Sequence, residues 1–321
     1  MPAYPGISRD AFRHPLDQQA EAALRAFPGF DLVARKFVEF MYERPQLVSL
    51  MGNNVQVGPQ QYATLYHLFR ESVQALDVHP APTLFVAQNP QVNSYAIGEE
   101  HPCIVVNTGL LDLLTDDEIQ TVMAHELGHV KCGHTTLTQM ALWAMNTASV
   151  IGELTFGLGN MISTGLIYAF YEWRRMAELS CDRAALLATD DWRLVGHTMM
   201  RVAGGSNRFA QELNFAAFEQ QAEAYQNLDE DGLSQVYKFL LYNGGGAGPM
   251  LSHPFPVDRL SYLKVWAHSE DYARMKAGNY QRSPTNGTVN VDPRPSPSEV
   301  DRLRQELADL QDELERLRRT S

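Results

Sequence analysis

The sequence predicts an α+β fold that is predominantly α-helical, and three observations carry that reading. Apolar residues recur at three- and four-residue spacing through most of the chain, as in "LVARKFVEFMYE", the period of a helix with one buried face. A single region, residues 82–109, instead holds short β-rich runs, "PTLFVAQNP", "VNSYAIG" and "CIVVNTG", bounded by proline, glycine and polar residues as strands are. Directly after it, Thr115 is followed three residues on by Glu118, the capping-box signature of a helix start.

Taken in order, the N-terminal "MPAYPGISRDAFRHPLDQQ" has no apolar core of the kind a secretory signal needs. Residues 16–76 read as mostly helical, with Pro28-Gly29 as a break between helices. The three strands follow. The capping box then starts a helix near Asp116 that carries "HELGH" in its later turns. Residues 135–171 contain one charged residue, Glu153, which divides them into two uncharged runs of 18 residues. That length stands at the threshold of a membrane span, but Asn, Thr or Ser interrupt both runs and three glycines interrupt the second. Two readings stay open, buried helices of a water-exposed domain or helices that enter or touch a membrane. Helical patterning resumes in "WRRMAELSCDRAALLA", continues past "LVGHTMMRVAGG", covers 207–242, and returns after "LSHPFPVDRLSYLKVW". Residues 281–298 are rich in Pro, Ser, Asn and Thr and read as a flexible linker. In residues 299–321, Val300, Leu303, Leu307, Leu310, Leu314 and Leu317 alternate spacings of 3 and 4, an a/d heptad seam. This tail reads as a self-associating coiled coil, a helix folded back on its own domain, or a partner's docking helix. The division is therefore 1–280 as the main domain, with a helical part to about residue 80 and a core over 81–280, then linker 281–298 and heptad helix 299–321.

Composition narrows the function. A formal net charge of -12 argues against nucleic acid. Three cysteines form no disulfide framework and fit a reducing compartment, so the expected location is cytoplasmic, with or without membrane attachment.

The chemistry lies in "HELGHVKCGH", residues 125–134. A helix turns about 100° per residue, so His125 and His129 share one face, one turn apart, and can meet on a single ion. Glu126 lies on the same side, close enough to touch a water on that ion. This is the H-E-x-x-H arrangement of zinc proteases. A catalytic zinc takes three protein ligands and keeps one position open. His134 does not fit the H-E-x-x-H-x-x-G-x-x-H spacing, because Gly133 and His134 stand four and five residues after His129 rather than three and six. It reads as an exposed or structural histidine. "RRMAELSCD" offers a carboxylate from a second helix: Glu178 as a ligand, with Asp182 one turn on to accept a hydrogen bond from a ligating histidine. Cys132 and Cys181 read as small core residues rather than thiolate ligands.

With these residues in view, the chain resembles the HtpX-like and CAAX-prenyl-protease-type zinc endopeptidases, a gluzincin group. "HELGHVKCGH" is similar to the family's metal helix, "RRMAELSCD" to its R-x-x-E-x-x-A-D segment, "NSYAIG" to the edge strand beside the cleft, and "SHPFPVDR" to the late S/T-H-P-x-x-x-x-R motif. The matches span residues 93–259 in the expected order. Cys181 stands where the family usually has alanine, and the hydrophobic spans of membrane-embedded members are weak here.

The resemblance implies a zincin-like metallopeptidase domain with a small antiparallel sheet whose edge strand lines the cleft. It also implies one Zn2+ per chain on His125, His129 and Glu178. Glu126 is then the general base, His253 a second donor to the oxyanion or a substrate-positioning residue, and Asp182 and Arg259 the supports behind the ligands. Asn93, Ser94, Tyr95 and Ala96 would pair with an extended or unfolded polypeptide as an added strand. No motif marks a side-chain specificity pocket. Two other readings stand beside an active endopeptidase: a catalytically silent scaffold acting through its coiled coil, and an integral membrane protease using residues 135–171.

Overall fold

The computed structural model describes residues 2–27, 30, 43–140, 158–229 and 255–283. Two short helices open the chain: α1, Arg9–Phe12, capped by Ser8, and α2, Pro15–Arg25, capped by the His14 ring. Proline at the first position of α2 loses nothing, because its missing N–H would have had no helical partner. Helix α3, Glu43–Asn53, leads into the two-residue strand β1, Val55–Gln56, and then α4, Ala63–Ala75. Strands β2, Thr83–Ala87, β3, Ser94–Ile97, and β4, Cys103–Asn107, follow. The helical residues continue as α5, Thr108–Leu113, α6, Asp116–Cys132, α7, Leu158–Thr189, and α8, Trp192–Gly204. After a 3-10 segment at Asn207–Glu212 come α9, Phe215–Asp229, α10, Pro256–Ala267, and α11, Glu270–Lys276.

The sheet order is β1-β2-β4-β3. It is mixed rather than antiparallel throughout: β2 and β4 run parallel, Thr83 opposite Cys103, while β1 and β3 flank them antiparallel. The reason is that β4 is inserted between β2 and β3, so two strands close in sequence are not neighbours in space. Strands β2 and β4 are covered on both faces. Leu84, Val86, Ile104 and Val106 point into the main core, and Phe85, Cys103 and Val105 pack with Leu50 and Leu47 of α3. Burial on both faces explains why "CIVVN" is a continuous apolar run instead of an alternating one. Strand β3 forms one edge of the sheet.

Helix α6 begins where the sequence places it. Thr115 and Glu118 complete a reciprocal capping box, and Gly133 ends the helix at φ 75°, a left-handed conformation glycine adopts without a Cβ penalty. Helices α6 and α7 pack along each other. Their closest approach is at Gly128, where an added Cβ would lie 2.9 Å from both Cys181 Cα and Ala184 Cβ.

The uncharged stretch falls only partly within the described residues. Leu137 and Met140 lie before the undescribed residues 141–157. Leu166 and Phe170 occupy the first half of α7, the helix that carries Glu178. These four side chains are buried together with Trp173, Leu24 and Phe30. Among the described residues, no helix is long and apolar enough to cross a membrane. The 207–242 prediction holds a break at Leu213 between the 3-10 segment and α9, and its later part lies outside the described residues. So do "LVARKFVEFMY" at 32–42, most of the linker and the heptad tail.

Candidate active site

Helix α6 presents His125 and His129 one turn apart, their rings 5.2 Å between centroids. Opposite them, α7 presents Glu178, almost wholly buried. Its two oxygens are shared between the histidines: Oε2 is 3.2 Å from His125 Nε2 and Oε1 is 3.4 Å from His129 Nε2. One helical turn later, Asp182 Oδ1 stands 3.1 Å from His125 Nδ1. Arg259 of α10 closes the cluster with Nε 2.8 Å from Asp182 Oδ2, Nη2 2.5 Å from Asp182 Oδ1 and Nη1 3.3 Å from Glu178 Oε2.

The electrostatics of this cluster favour a cation. Burial alone would push the His125 pKa down, but its bonds to Asp182 and Glu178 outweigh burial and hold it up at about 9. Burial likewise opposes the charged form of Asp182, and the adjacent Arg259 guanidinium overrides it, keeping that carboxyl below its usual range. Two carboxylates against one guanidinium leave the histidine pair facing net negative charge, which a divalent ion would neutralise. The donor set of two imidazoles and a carboxylate fits zinc.

A second grouping is present. Among the described residues, His125, His129 and Cys181 bring ligand atoms within 4.8 Å of one another. Cys181 is thus nearer the histidines than its reading as a core residue implied. Its Sγ also lies 3.6 Å from Nδ1 of His134, whereas Glu178 spans both Nε2 atoms. Burial, Cys132 and the neighbouring acids push the Cys181 thiol well up. Glu178 and Cys181 are both candidate third donors.

Glu126, next in sequence to His125, lines the same cleft and accepts a 2.6 Å hydrogen bond from Ser94 Oγ of β3. The cleft encloses about 340 Å³ and is walled by Asn93 and Ser94 on the strand side. Val122, Val195, Met199, Val202 and Phe255 form an apolar wall. Of the four strand residues expected to pair with substrate, Asn93 and Ser94 line the cleft. Tyr95 is 40% exposed, and Ala96 packs against the core. His253 lies outside the described residues.

His134 is buried, not exposed. Its Nδ1 is 3.2 Å from His129 Nδ1 and its Nε2 is 3.2 Å from Asp17 Oδ2. Asp17 in turn is held by Arg13 and by Ser180 Oγ at 2.6 Å. Sequence reasoning did not reach Asp17 or Arg13. The one local signal was Gly133, whose left-handed turn ends α6 and lets His134 double back on His129.

Comparisons with known proteins come to the same region. Residues 59–267 match the family model described as peptidase family M48. The chain is 37% identical over 268 residues to the plastoglobule-localized metallopeptidase 48, chloroplastic, of Arabidopsis thaliana, covering 83% of this chain and 75% of that protein. It is 24% identical over 253 residues to a protease HtpX homolog of Moorella thermoacetica, covering 71% and 79%. A shorter match, 48% over 54 residues, joins it to a protease HtpX homolog of a Sulfurovum species and covers 16% and 20%. No solved structure matches the chain.

Proposed function

This chain belongs to peptidase family M48 and is a metallopeptidase; from that premise we propose that it is a zinc-dependent endopeptidase cleaving extended or unfolded polypeptides. The observation that carries the reading is the Glu178 carboxylate set between the two Nε2 atoms, with Glu126 facing the same cleft.

His125, His129 and Glu178 would hold one zinc. When bound, the ion supplies Lewis acidity and lowers the pKa of a water to about 7. Glu126 takes the proton of the attacking water as general base and returns it to the leaving amine. Its bond from Ser94 fixes one carboxylate oxygen and leaves the other for the proton. Asp182 keeps the His125 proton on Nδ1, and Arg259 neutralises the acids behind the ligands. His253, in the segment that leads into α10, is proposed as a second donor to the developing oxyanion.

The edge of β3, unpaired among the described residues, gives substrate its place. A peptide added there forms backbone hydrogen bonds that depend little on side chains, with Asn93 and Ser94 nearest the cleft. Domain limits at about 280 and 298, a heptad tail that self-associates and a reducing, cytoplasmic setting complete the proposal. The three described cysteines are free thiols, which supports that setting.

The test is zinc content together with hydrolysis of an unfolded protein substrate, before and after chelation. Stoichiometric zinc and chelator-sensitive cleavage are expected. A folded protein that holds zinc and cleaves nothing would favour the silent scaffold; one that cleaves without zinc would remove the proposed chemistry.

A further inference from the structure

Each candidate ligand histidine turns its Nδ1 away from the Glu178 carboxylate toward a buried partner. For His125 the partner is Asp182, 3.1 Å away. For His129 it is Nδ1 of His134, 3.2 Å away, and His134 Nε2 continues to Asp17 Oδ2 at 3.2 Å. An imidazole that gives its Nε2 lone pair to a metal keeps its proton on Nδ1. His129 must then donate to a bare Nδ1 on His134. His134 consequently carries its proton on Nε2 and donates it to Asp17. The hydrogen bonds close in one direction, from ligand to carboxylate.

We propose that His134 and Asp17 are positioning residues for the metal: they fix the tautomer and ring plane of His129 through a two-step relay, as Asp182 does for His125 in one step. The N-terminal residues 13–17 thereby belong to the metal site, although they precede the family-matched residues 59–267. This inference rests on the zinc reading above.

The two relays end alike. Arg13 grips Asp17 with Nε and Nη2, both at 2.9 Å, as Arg259 grips Asp182. Paired, bidentate contacts of this kind hold a carboxylate in one orientation. Asp17 is 0% exposed and His134 is 1% exposed, so water does not compete at either joint. A histidine buried only for packing needs partners for its own sake. Here its second nitrogen goes to a candidate ligand, while its ring edge rests on Trp173 at 5.7 Å. Cys181 Sγ reaches the same Nδ1 only at 3.6 Å, and a thiol is a weak donor.

The experiment compares full-length wild type, His134→Phe and His134→Gln. Zinc dissociation constants are measured by chelator competition, and thermal midpoints are measured on the metal-free proteins. Phenylalanine keeps the ring against Trp173 but has no acceptor, and zinc affinity should fall about 10- to 100-fold. Glutamine offers an oxygen to His129 and an N–H to Asp17, and should recover most of that loss. A purely structural role would lower the metal-free midpoint without this difference in zinc affinity. Equal zinc affinity in wild type and a folded His134→Phe overturns the relay while leaving the zinc reading intact. Should His134→Phe not fold, Asp17→Asn decides: weaker zinc binding supports the relay and unchanged binding overturns it. A wild type that takes up no zinc overturns both the zinc reading and the relay.

Discussion

Ser94 Oγ donates a 2.6 Å hydrogen bond to Glu126 Oε1, tying the edge strand to the candidate base one residue after His125. With Glu126 as the proposed base, Glu126→Gln should keep the zinc and lose turnover of an unfolded substrate by at least about 100-fold. Ser94→Ala should also keep the zinc but lose less, because the base remains and only its orientation is relaxed. Zinc content and kcat measured side by side check both. Wild-type turnover by Glu126→Gln would remove Glu126 from the mechanism.

Arg259 bridges Asp182 and Glu178. Replacing it with methionine removes that cation from beside two buried acids. Breaking such a buried cluster typically costs about 3–5 kcal/mol, read by urea unfolding of the metal-free protein. Zinc should offset part of that loss, so the midpoint gap between loaded and metal-free protein should widen in Arg259→Met. A gap no wider than wild type would mean that the ion does not share the acids with Arg259.

Gly128 sits where α6 and α7 nearly touch. Gly128→Ala pushes a methyl group against Cys181 Cα and Ala184 Cβ and must part the helices. Overpacking of this kind costs roughly 1–3 kcal/mol. Because the same two helices carry the histidines and Glu178, zinc affinity should drop with stability. Unfolding free energy and chelator competition on one preparation test the coupling; a destabilised variant with unchanged zinc affinity would refute it.

His14 caps α2 through Nδ1, which accepts from Leu16 N–H at 3.1 Å. Burial, and then the nearby Arg183 guanidinium, lower its pKa to about 4 from 6.5. Between these values the unfolded chain binds a proton that the folded chain does not. Stability linked to His14 is thus full above about pH 6.5, falls as pH drops toward 4, and changes no further below it. The slope for one proton is at most about 1.4 kcal/mol per pH unit. His14→Asn retains a capping acceptor but cannot titrate, so its metal-free urea stability should lose less over that window. Parallel pH profiles for the two proteins would disprove the assignment.

What was legible in the sequence was local. The Thr115–Glu118 capping box, the one-turn spacing of His125 and His129, and the spacing of Glu178 and Asp182 each depend on a few adjacent residues, and each appears where its pattern puts it. The family resemblance added that the two helices meet. The parallel β2–β4 pairing was not legible, because alternation within a strand says nothing about which strand lies beside it. Strand β1 is two residues long and has no period to read. The Asp17–His134 contact joins positions 117 apart, and neither residue carries a local mark of the other. Cys181 was read by its apolar neighbours in sequence, whereas its place beside the histidines follows from the tight approach at Gly128.

The dependence of α1 and α2 on α7 also orders events in time. Ser180 Oγ accepts from His14 N–H and donates to Asp17, and Arg183 donates to the Phe12 and Arg13 carbonyls. A ribosome makes residues 12–17 first and these partners 163 to 171 residues later. Until then the first helices lack these α7 partners, and the histidine site lacks Glu178. A site so wired is assembled only once the chain has been made through α7 and its N-terminal helices have packed against it.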